Sequence, residues 1–275
     1  MSTLFVVATP LGNLEDMTPR AQRILREADV VYAEDTRRTL SLLQHFGSAR
    51  ELLSLHEHNE TARIERIVRE LGEGRSVAIV SDAGTPGVSD PGERVVAAVK
   101  AAGFSVSPVP GPSALAAAMS VAGFPMGASL FAGFIPHKGR ERNDALAQVL
   151  AHRGSVVFFE SPHRAAKTLG ALAEAQPERR ACVAREISKL HEEVRDGSLA
   201  ELAEWSADRV RGELTVVLGP WTPVTSQEDQ EIDAALTQCL DAGLSTRDAA
   251  SAVAVLLKVS RREVYRRAQR LQPPS

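Results

Sequence analysis

A glycine- and proline-rich segment at residues 81–92 carries the residue types that a small-molecule site requires. It reads Ser-Asp-Ala-Gly-Thr-Pro-Gly-Val-Ser-Asp-Pro-Gly and follows the apolar run Val77–Val80, which predicts a buried strand. Glycine lets a ligand approach the backbone closely, and proline limits the shapes that a loop can adopt. In an open α/β sheet, ligands bind beyond the carboxyl ends of the strands. We therefore expect this segment to contact a ligand; the alternative is a long structural turn.

The common nucleotide and metal motifs do not account for this segment. The sequence contains no GxGxxG after a predicted strand, no GxxxxGK followed by Ser or Thr, and no HExxH. His56 and His58 flank Glu57, but alternate residues on a strand share a face without binding a metal. We therefore predict no metal site, and a ligand outside the dinucleotide and P-loop classes.

The composition limits the class of protein. The chain has 275 residues, of which 44% are hydrophobic and 24% charged, and its formal net charge is -3. This charge excludes a uniformly basic coat for nucleic acid but allows a local basic patch. Cys182 and Cys239 lie far apart, which favours a reducing compartment over a disulfide framework. Since the apolar run at residues 4–8 is too short for a signal peptide and no apolar stretch approaches a membrane span, we expect a soluble cytoplasmic protein.

Short β-rich runs alternate with helical periodicity, which is the pattern of an α/β protein. In the first half, strands are predicted at 4–8, 30–33, 77–80 and 106–109, and helices from Thr18, from Glu60 to a cap at Gly72, from Pro91, and at 114–121. After a connector at 123–127, strands are predicted at 130–134, 156–159, 181–185 and 214–218, and helices at about 140–152, 163–175 and 198–205. This organisation predicts domains at 1–122 and 123–222, with a polar linker over 222–229.

The tail, residues 230–275, has a purely helical pattern. Ser245 and Ser260 are expected to cap two helices that are separated by a short turn, an arrangement typical of a helix-turn-helix. The last helix carries one acidic residue and five arginines: Glu263, Arg261, Arg262, Arg266, Arg267 and Arg270. This basic helix is a candidate for contact with nucleic acid phosphates.

Six ordered segments resemble the ribosomal RNA small subunit methyltransferase I family of the tetrapyrrole-methylase superfamily. They are 8–16 (ATPLGNLED), 34–37 (EDTR), 81–92, 110–114 (PGPSA), 158–164 (FFESPHR) and 185–193 (REISKLHEE). The match covers about residues 4–220, and the tail resembles that family's C-terminal helix-turn-helix. The resemblance implies two α/β domains of tetrapyrrole-methylase type with the cofactor cleft between them, plus a C-terminal helical helix-turn-helix-like module.

The resemblance also implies an activity and its partners. S-adenosyl-L-methionine would be the cofactor, and the reaction would be 2'-O-methylation of a cytidine ribose in the decoding region of 16S rRNA. The partner would be 16S rRNA or the small ribosomal subunit, and the protein would form a homodimer. The cofactor-binding residues carried over by motif are Pro10, Gly12, Asp82, Gly84, Thr85, Pro86, Gly87, Val88, Ser113 and Ala114. For Ser113, capping of the following helix is an alternative that is compatible with cofactor contact.

A ribose hydroxyl is a poor nucleophile, so a positioned base would help as its proton leaves. The candidates are Lys189, Glu34 and Glu160, followed by Asp35 and His163. As a base, Lys189 would need a pKa depressed by burial or by a neighbouring cation such as Arg185. Its alternative role is to hold a phosphate or to pair with Glu192.

Contact with RNA requires cations that neutralise phosphates. The predicted RNA-binding residues are Arg37, Arg38, Lys138, Arg140, Arg164, Arg261, Arg262, Arg266 and Arg267. For any single basic run, a solvated surface is the alternative. Glu34 and Asp35 could likewise cap a helix and pair with Arg37 or Arg38 instead of taking part in chemistry.

Two other functions remain open at this point. A methylase of a tetrapyrrole or another small acceptor would have the same fold, but the arginine-rich tail argues against it because a small acceptor has no use for a polycationic arm. A DNA-binding regulator would use the helix-turn-helix, but the α/β part dominates the chain. Transfer of methyl groups to RNA, to a porphyrinoid or to neither would separate these functions.

Overall fold

The computed structural model describes residues 2–56, 59–207, 210–221 and 227–271. Contacts within the chain define two compact units, residues 1–221 and 222–275. The first unit contains two five-stranded sheets, and the second is helical. A domain boundary at residue 122 lies inside the first unit and stays a prediction. Among the described residues, no helix combines the length and apolarity needed to cross a bilayer.

The first sheet is entirely parallel, with the strand order β3-β2-β4-β1-β5. Its strands are β1 (Thr3–Val7), β2 (Val30–Ala33), β3 (Glu51–Ser54), β4 (Val77–Val80) and β5 (Ser105–Val109). Its helices are α1 (Pro19–Glu27), α2 (Thr36–His45), α3 (Glu60–Gly72) and α4 (Glu93–Ala101). One apolar cluster packs α1 on one face of the sheet, and a second packs α3 and α4 on the other. Because all five strands run in one direction, the loops that follow them lie at one edge.

The second sheet is mixed, with the order β6-β7-β10-β8-β9. Its strands are β6 (Leu130–Phe134), β7 (Val156–Glu160), β8 (Arg180–Arg185), β9 (Glu193–Ser198) and β10 (Leu214–Leu218). One face packs against α6 (Gly139–Ala151), α7 (Pro162–Ala175) and α8 (Leu199–Ala207). The other face packs against α5 (Ala114–Val121), the helix that follows β5 of the first sheet. The helix α5 therefore joins the two sheets.

The described residues of the C-terminal unit form three helices around a small apolar core. They are α9 (Gln227–Asp241), α10 (Thr246–Leu257) and α11 (Arg261–Leu271). The Ser245 hydroxyl caps α10 by accepting a hydrogen bond from the Asp248 amide, as predicted. Lys258, with φ +55°, ends α10 in the left-handed conformation and turns the chain into α11. Residues 222–226 of the predicted linker lie outside the described residues, and residues 227–229 belong to α9.

The predicted α/β fold class is confirmed, and the differences lie at element ends and in polar elements. The helix α3 includes Gly72, and the left-handed residue that follows it is Gly74 at φ +88°. The helix α4 begins at Glu93 rather than Pro91, because Gly92 at φ +134° cannot belong to it. The elements α2, β3 and β9 were not predicted. The strand β9 reads Glu-Val-Arg-Asp-Gly-Ser, so it lacks an apolar pattern and depends on its pairing with β8.

Candidate active site

Three loops meet at the carboxyl edge of the first sheet and are hydrogen-bonded to one another. Thr9 and Gly84 exchange two backbone hydrogen bonds of 2.8 and 3.0 Å, which join the loops after β1 and β4. The Thr9 hydroxyl also donates to the Ser81 carbonyl at 3.1 Å. The Thr85 hydroxyl donates to the Pro112 carbonyl at 3.2 Å and so ties in the loop after β5. Three of the six segments identified in the sequence therefore form one substructure.

The central loop needs glycine at a defined point. Gly84 has φ +80°, a conformation that side chains disfavour. A Cβ atom there would lie 3.3 Å from the Leu11 side chain and 3.8 Å from the Pro112 carbonyl oxygen. Gly84 thus allows the three loops to pack closely.

Leu11 lines two clefts beside these loops. The first has a volume of about 380 Å³ and is lined by residues that include Pro10, Gly12 and Asp82. The second has a volume of about 440 Å³, and its lining includes Ser113 and residues 187, 188 and 192. Both volumes lie in the range of small-molecule sites. The Ser113 hydroxyl accepts a 3.5 Å hydrogen bond from the Ala116 amide, so the capping role considered for it is present.

Asp82 links the loop after β4 to the loop after β2. Its carboxylate accepts a 2.9 Å hydrogen bond from the Asp35 amide and pairs with Arg38 at 3.2 Å. Burial and the charge of Asp82 raise the pKa of the neighbouring Glu34. Asp35 itself caps α2 and pairs with Arg37, whose hydrogen bonds lower the pKa of Asp35 to about 2. The capping interpretation therefore holds for Asp35, whereas Glu34 remains available to accept a proton.

Asp90 belongs to the same acidic group, although it is not among the site residues predicted from the sequence. Burial raises its pKa to about 6, and the negative charges of Glu34, Asp82 and Glu213 act in the same direction. Glu213 precedes β10 of the second sheet. The only sequence signal for Asp90 is its position inside the loop 81–92, since its acidic neighbours come from other strands.

Lys189 lies at the junction of the two sheets but does not meet the condition for a base. Its ammonium group contacts Glu186 Oε1 at 2.9 Å and Glu213 Oε2 at 2.8 Å. Burial by itself would lower the pKa of Lys189, but the hydrogen bonds to Glu213 and Glu186 outweigh it and leave the pKa raised. Arg185 is not a depressing neighbour, because it pairs with Glu193 at 2.9 Å. The pairing expected with Glu192 is replaced by these two carboxylates.

Glu160 is engaged in an internal network. It is 2% exposed and accepts hydrogen bonds from the Thr168 hydroxyl at 2.6 Å and the Ser161 amide at 2.7 Å. Arg164 pairs with it at 2.6 Å and donates to the Ile135 carbonyl at 2.7 Å. These contacts hold the start of α7 against the second sheet. They place both Glu160 and the predicted RNA contact Arg164 inside the fold.

The other predicted RNA contacts differ in exposure. The exposed group comprises Arg37, Arg38, Lys138, Arg140, Arg261, Arg262 and Arg266. Arg267 differs, because its guanidinium makes two 2.8 Å contacts with Asp233 and so ties α11 to α9. In the C-terminal unit, Arg261 and Arg262 line a cleft of about 580 Å³ together with Arg247 and Tyr265. Arg247 is not among the RNA contacts predicted from the sequence, because it lies on α10, outside the arginine-rich helix.

The described residues contain no cluster of His, Cys, Asp or Glu side chains suited to a metal ion. Glu57 and His58 of the sequence triplet lie outside the described residues.

Comparison with known proteins defines the class. The family model described as "Tetrapyrrole (Corrin/Porphyrin) Methylases" matches residues 3–203, so the chain belongs to that methyltransferase family. Diphthine synthase has the same fold, with a TM-score of 0.64 and 17% identity over 79% of this chain and 90% of that one. Uroporphyrin-III C-methyltransferase from Thermus thermophilus has a TM-score of 0.57 and 22% identity over 80% of this chain and 94% of that one.

Within that class, the match to one family extends over the whole chain. A protein of Pseudomonas aeruginosa named ribosomal RNA small subunit methyltransferase I is 42% identical over 99% of each chain. The protein of that name from Mesorhizobium japonicum is also 42% identical, over 99% of this chain and 93% of its own. The model described as "RsmI C-terminal HTH domain" matches residues 226–272. This chain belongs to the ribosomal RNA small subunit methyltransferase I family.

Proposed function

We propose that this protein methylates the ribose 2'-hydroxyl of a cytidine in the decoding region of 16S rRNA, with S-adenosyl-L-methionine as cofactor. The observation that carries the proposal is the match to that family along the α/β unit and the C-terminal module together. Within the α/β unit, the convergence of the loops after β1, β4 and β5 supports it.

The converging loops fit such a cofactor. Pro10, Gly12 and Asp82 line a cleft of suitable volume, and Gly84 to Val88 continue the same loop. The start of α5 at Ser113 and Ala114 offers helix-terminal amides to a carboxylate. A uroporphyrin-III C-methyltransferase of this fold has been crystallised with S-adenyl homocysteine. When bound, S-adenosylmethionine supplies an electrophilic methyl group, so the chain must mainly orient the ribose oxygen and receive its proton.

Of the proposed bases, Glu34 is the one that the geometry favours. Its raised pKa strengthens it as a proton acceptor, and it lies beside Asp82 at the carboxyl edge of the first sheet. Glu160 is saturated with internal hydrogen bonds, and Lys189 holds its proton between two carboxylates. We infer that Lys189 acts as a fixed positive charge and that Glu34 receives the ribose proton.

The RNA would meet exposed cations on both units, and each such contact adds to the salt dependence of binding. In the first unit these are Arg37, Arg38, Lys138 and Arg140. In the second, the cleft between α10 and α11 presents Arg247, Arg261 and Arg262 beside Tyr265, with Arg266 exposed on α11. We also propose that the protein forms a homodimer and is located in the cytoplasm, where ribosomal subunits are found.

The decisive experiment supplies purified protein and labelled S-adenosylmethionine to small ribosomal subunits from a strain that lacks the enzyme. We expect label in one 16S nucleotide, at a position resistant to alkaline cleavage because its 2'-oxygen is methylated. Base methylation, or no transfer, would contradict the proposal. A parallel reaction with a porphyrinoid acceptor tests the small-acceptor alternative, which would be favoured by labelling of the porphyrinoid alone.

A further inference from the structure

Phe134, at the end of the edge strand β6, is the most exposed aromatic side chain among the described residues, with 54% of its surface accessible. Its ring lies against Phe159 of β7, with centroids 5.3 Å apart, and Phe159 also contacts Phe131 edge-on at 5.2 Å. Aromatic residues form only 4% of the chain, so a group of three with one open face is a distinctive feature. We call Phe134 and Phe159 together the aromatic step.

The end of β6 lies beside the loop 81–92 of the candidate active site. The pairing of β6 with β7 shifts register between Phe131 and Phe134, and such irregularities re-aim side chains. Gly133 has φ +61°, and a Cβ atom there would lie 3.2 Å from the hydroxyl oxygen of Ser89. Ser89 belongs to the loop 81–92. Gly133, the residue before Phe134 in β6, therefore lies against the loop proposed to hold the cofactor.

Cations follow the aromatic step along the chain. Lys138 and Arg140 are exposed at the start of α6, four and six residues after Phe134. The one ion pair of Arg140 that the structure describes, to Asp144, is 3.4 Å long between side chains that are 93% and 69% exposed, so it competes weakly with a phosphate. An open aromatic face near exposed cations is the combination by which proteins bind unpaired nucleotides.

We propose that the aromatic step stacks the unpaired base of the nucleotide whose ribose is methylated. The proposal rests on the proposed function, and it makes Phe134 and Phe159 positioning residues for the acceptor. Stacking fixes the plane of the base and thereby limits the positions that the attached ribose can take beside the loop 81–92. Since every base has a π-face, the step orients the nucleotide without selecting cytosine.

The test compares variants of the full-length protein on small subunits that lack the modification. Phe134→Ala is expected to lower kcat/KM by about 10- to 100-fold, the effect of losing one stacked base. Phe134→Trp keeps a stacking surface and should stay within about threefold of the wild type. Phe134→Leu keeps apolar volume but loses the π-face, so it should resemble Phe134→Ala.

Val194→Ala is the matched control, because Val194 is 43% exposed on β9, the opposite edge strand of the same sheet. It should leave kcat/KM unchanged, and all four variants should bind S-adenosylhomocysteine with wild-type affinity. Wild-type activity of Phe134→Ala or Phe134→Leu would overturn the stacking role. Light scattering on Phe134→Ala would also overturn it if the molecular mass in solution differed from that of the wild type. Such a difference would assign the surface around Phe134 to contact between copies of the chain. Inactive wild-type protein would instead refute the proposed function on which the inference rests.

Discussion

Lys189 donates a 2.8 Å hydrogen bond from Nζ to Oε2 of Glu213, across the space between the loop after β8 and the start of β10. A Cβ atom on Gly12 would clash with Lys189 Cγ, so the lysine stem lies directly over the loop after β1. One side chain therefore connects the candidate cofactor loops of the first sheet with the acidic end of the second.

Lys189 was considered as a fixed positive charge and as a base, and these two roles predict activity for different variants. Because its pKa is raised, we expect Lys189→Arg to retain most methyl transfer and Lys189→Met to lose at least about tenfold, since only arginine preserves the charge. Initial rates at saturating cofactor would measure this. If Lys189→Arg were as inactive as Lys189→Met while both variants remained folded, the fixed-charge role would be wrong. Lys189 would then again be a candidate for the base.

The strain at Gly84 should affect cofactor binding specifically. Gly84→Ala places a side chain at φ +80°, which costs about 1–2 kcal/mol, and adds contact with Leu11. Gly74→Ala is a matched control, because φ is +88° there and no atom lies within 4 Å of the added Cβ. Both variants should lose similar stability, and only Gly84→Ala should weaken S-adenosylhomocysteine binding by calorimetry. A larger residue, as in Gly84→Val, should abolish binding. Equal affinity for Gly84→Ala and Gly74→Ala would remove the loop from the cofactor site.

The raised pKa of Asp90 predicts how stability depends on pH. The folded state holds the Asp90 proton up to a pKa of about 6, above its ordinary value of 3.8, so ionisation of Asp90 opposes folding. This penalty is absent well below pH 3.8, grows as the pH rises toward 6, and is constant above that. Asp90→Asn should therefore raise the thermal unfolding midpoint more at pH 7.5 than at pH 4.5.

Asp29 is expected to affect the pH dependence of stability in the opposite direction. Hydrogen bonds from Ser76 lower its pKa, so the Asp29 carboxylate stabilises the fold above pH 3.8, and this stabilisation is lost as the pH falls through the depressed pKa. Asp29→Asn should consequently lower the unfolding midpoint at pH 7.5 and have a smaller effect as the medium becomes acidic. Parallel pH dependence of the Asp29 and Asp90 variants would show that these carboxylates do not have the assigned environments.

The arginines of α11 should separate into structural and RNA-contacting residues. Arg267→Ala removes both contacts with Asp233 and should destabilise the C-terminal unit by about 1–2 kcal/mol. Arg262→Ala removes an exposed cation, so it should leave stability unchanged, weaken RNA binding and reduce the salt slope by about one. Filter binding at several salt concentrations, with thermal unfolding, distinguishes them. Loss of stability in Arg262→Ala would contradict this division.

Much of the fold could be predicted because it depends on local patterns. Val77–Val80 is apolar throughout, as a central parallel strand requires, and it forms β4 with all four residues buried. Thr18 and Ser245 cap helices where the sequence places them. The loop 81–92 could be selected because glycine and proline between a strand and a helix restrict the backbone at a strand end.

Chemical roles depend on neighbours that are distant in sequence, and local patterns do not encode them. Glu160 and Lys189 both looked available for proton transfer, but Arg164 and Thr168 enclose the first, and Glu186 and Glu213 hold the proton on the second. The pairing of β9 likewise comes from its partner strand and not from its own composition.

The sequence by itself determined the α/β class, the order of the candidate ligand-binding segments and the basic helix of the tail, because short-range propensity and residue chemistry encode these features. Only the tertiary structure decided which charges are neutralised, which arginines face outward, and that the exposed Phe134 follows a residue that lies against Ser89. The physical reason is that pKa, exposure and stacking depend on the groups within a few ångströms, and folding brings those groups together from different segments of the chain.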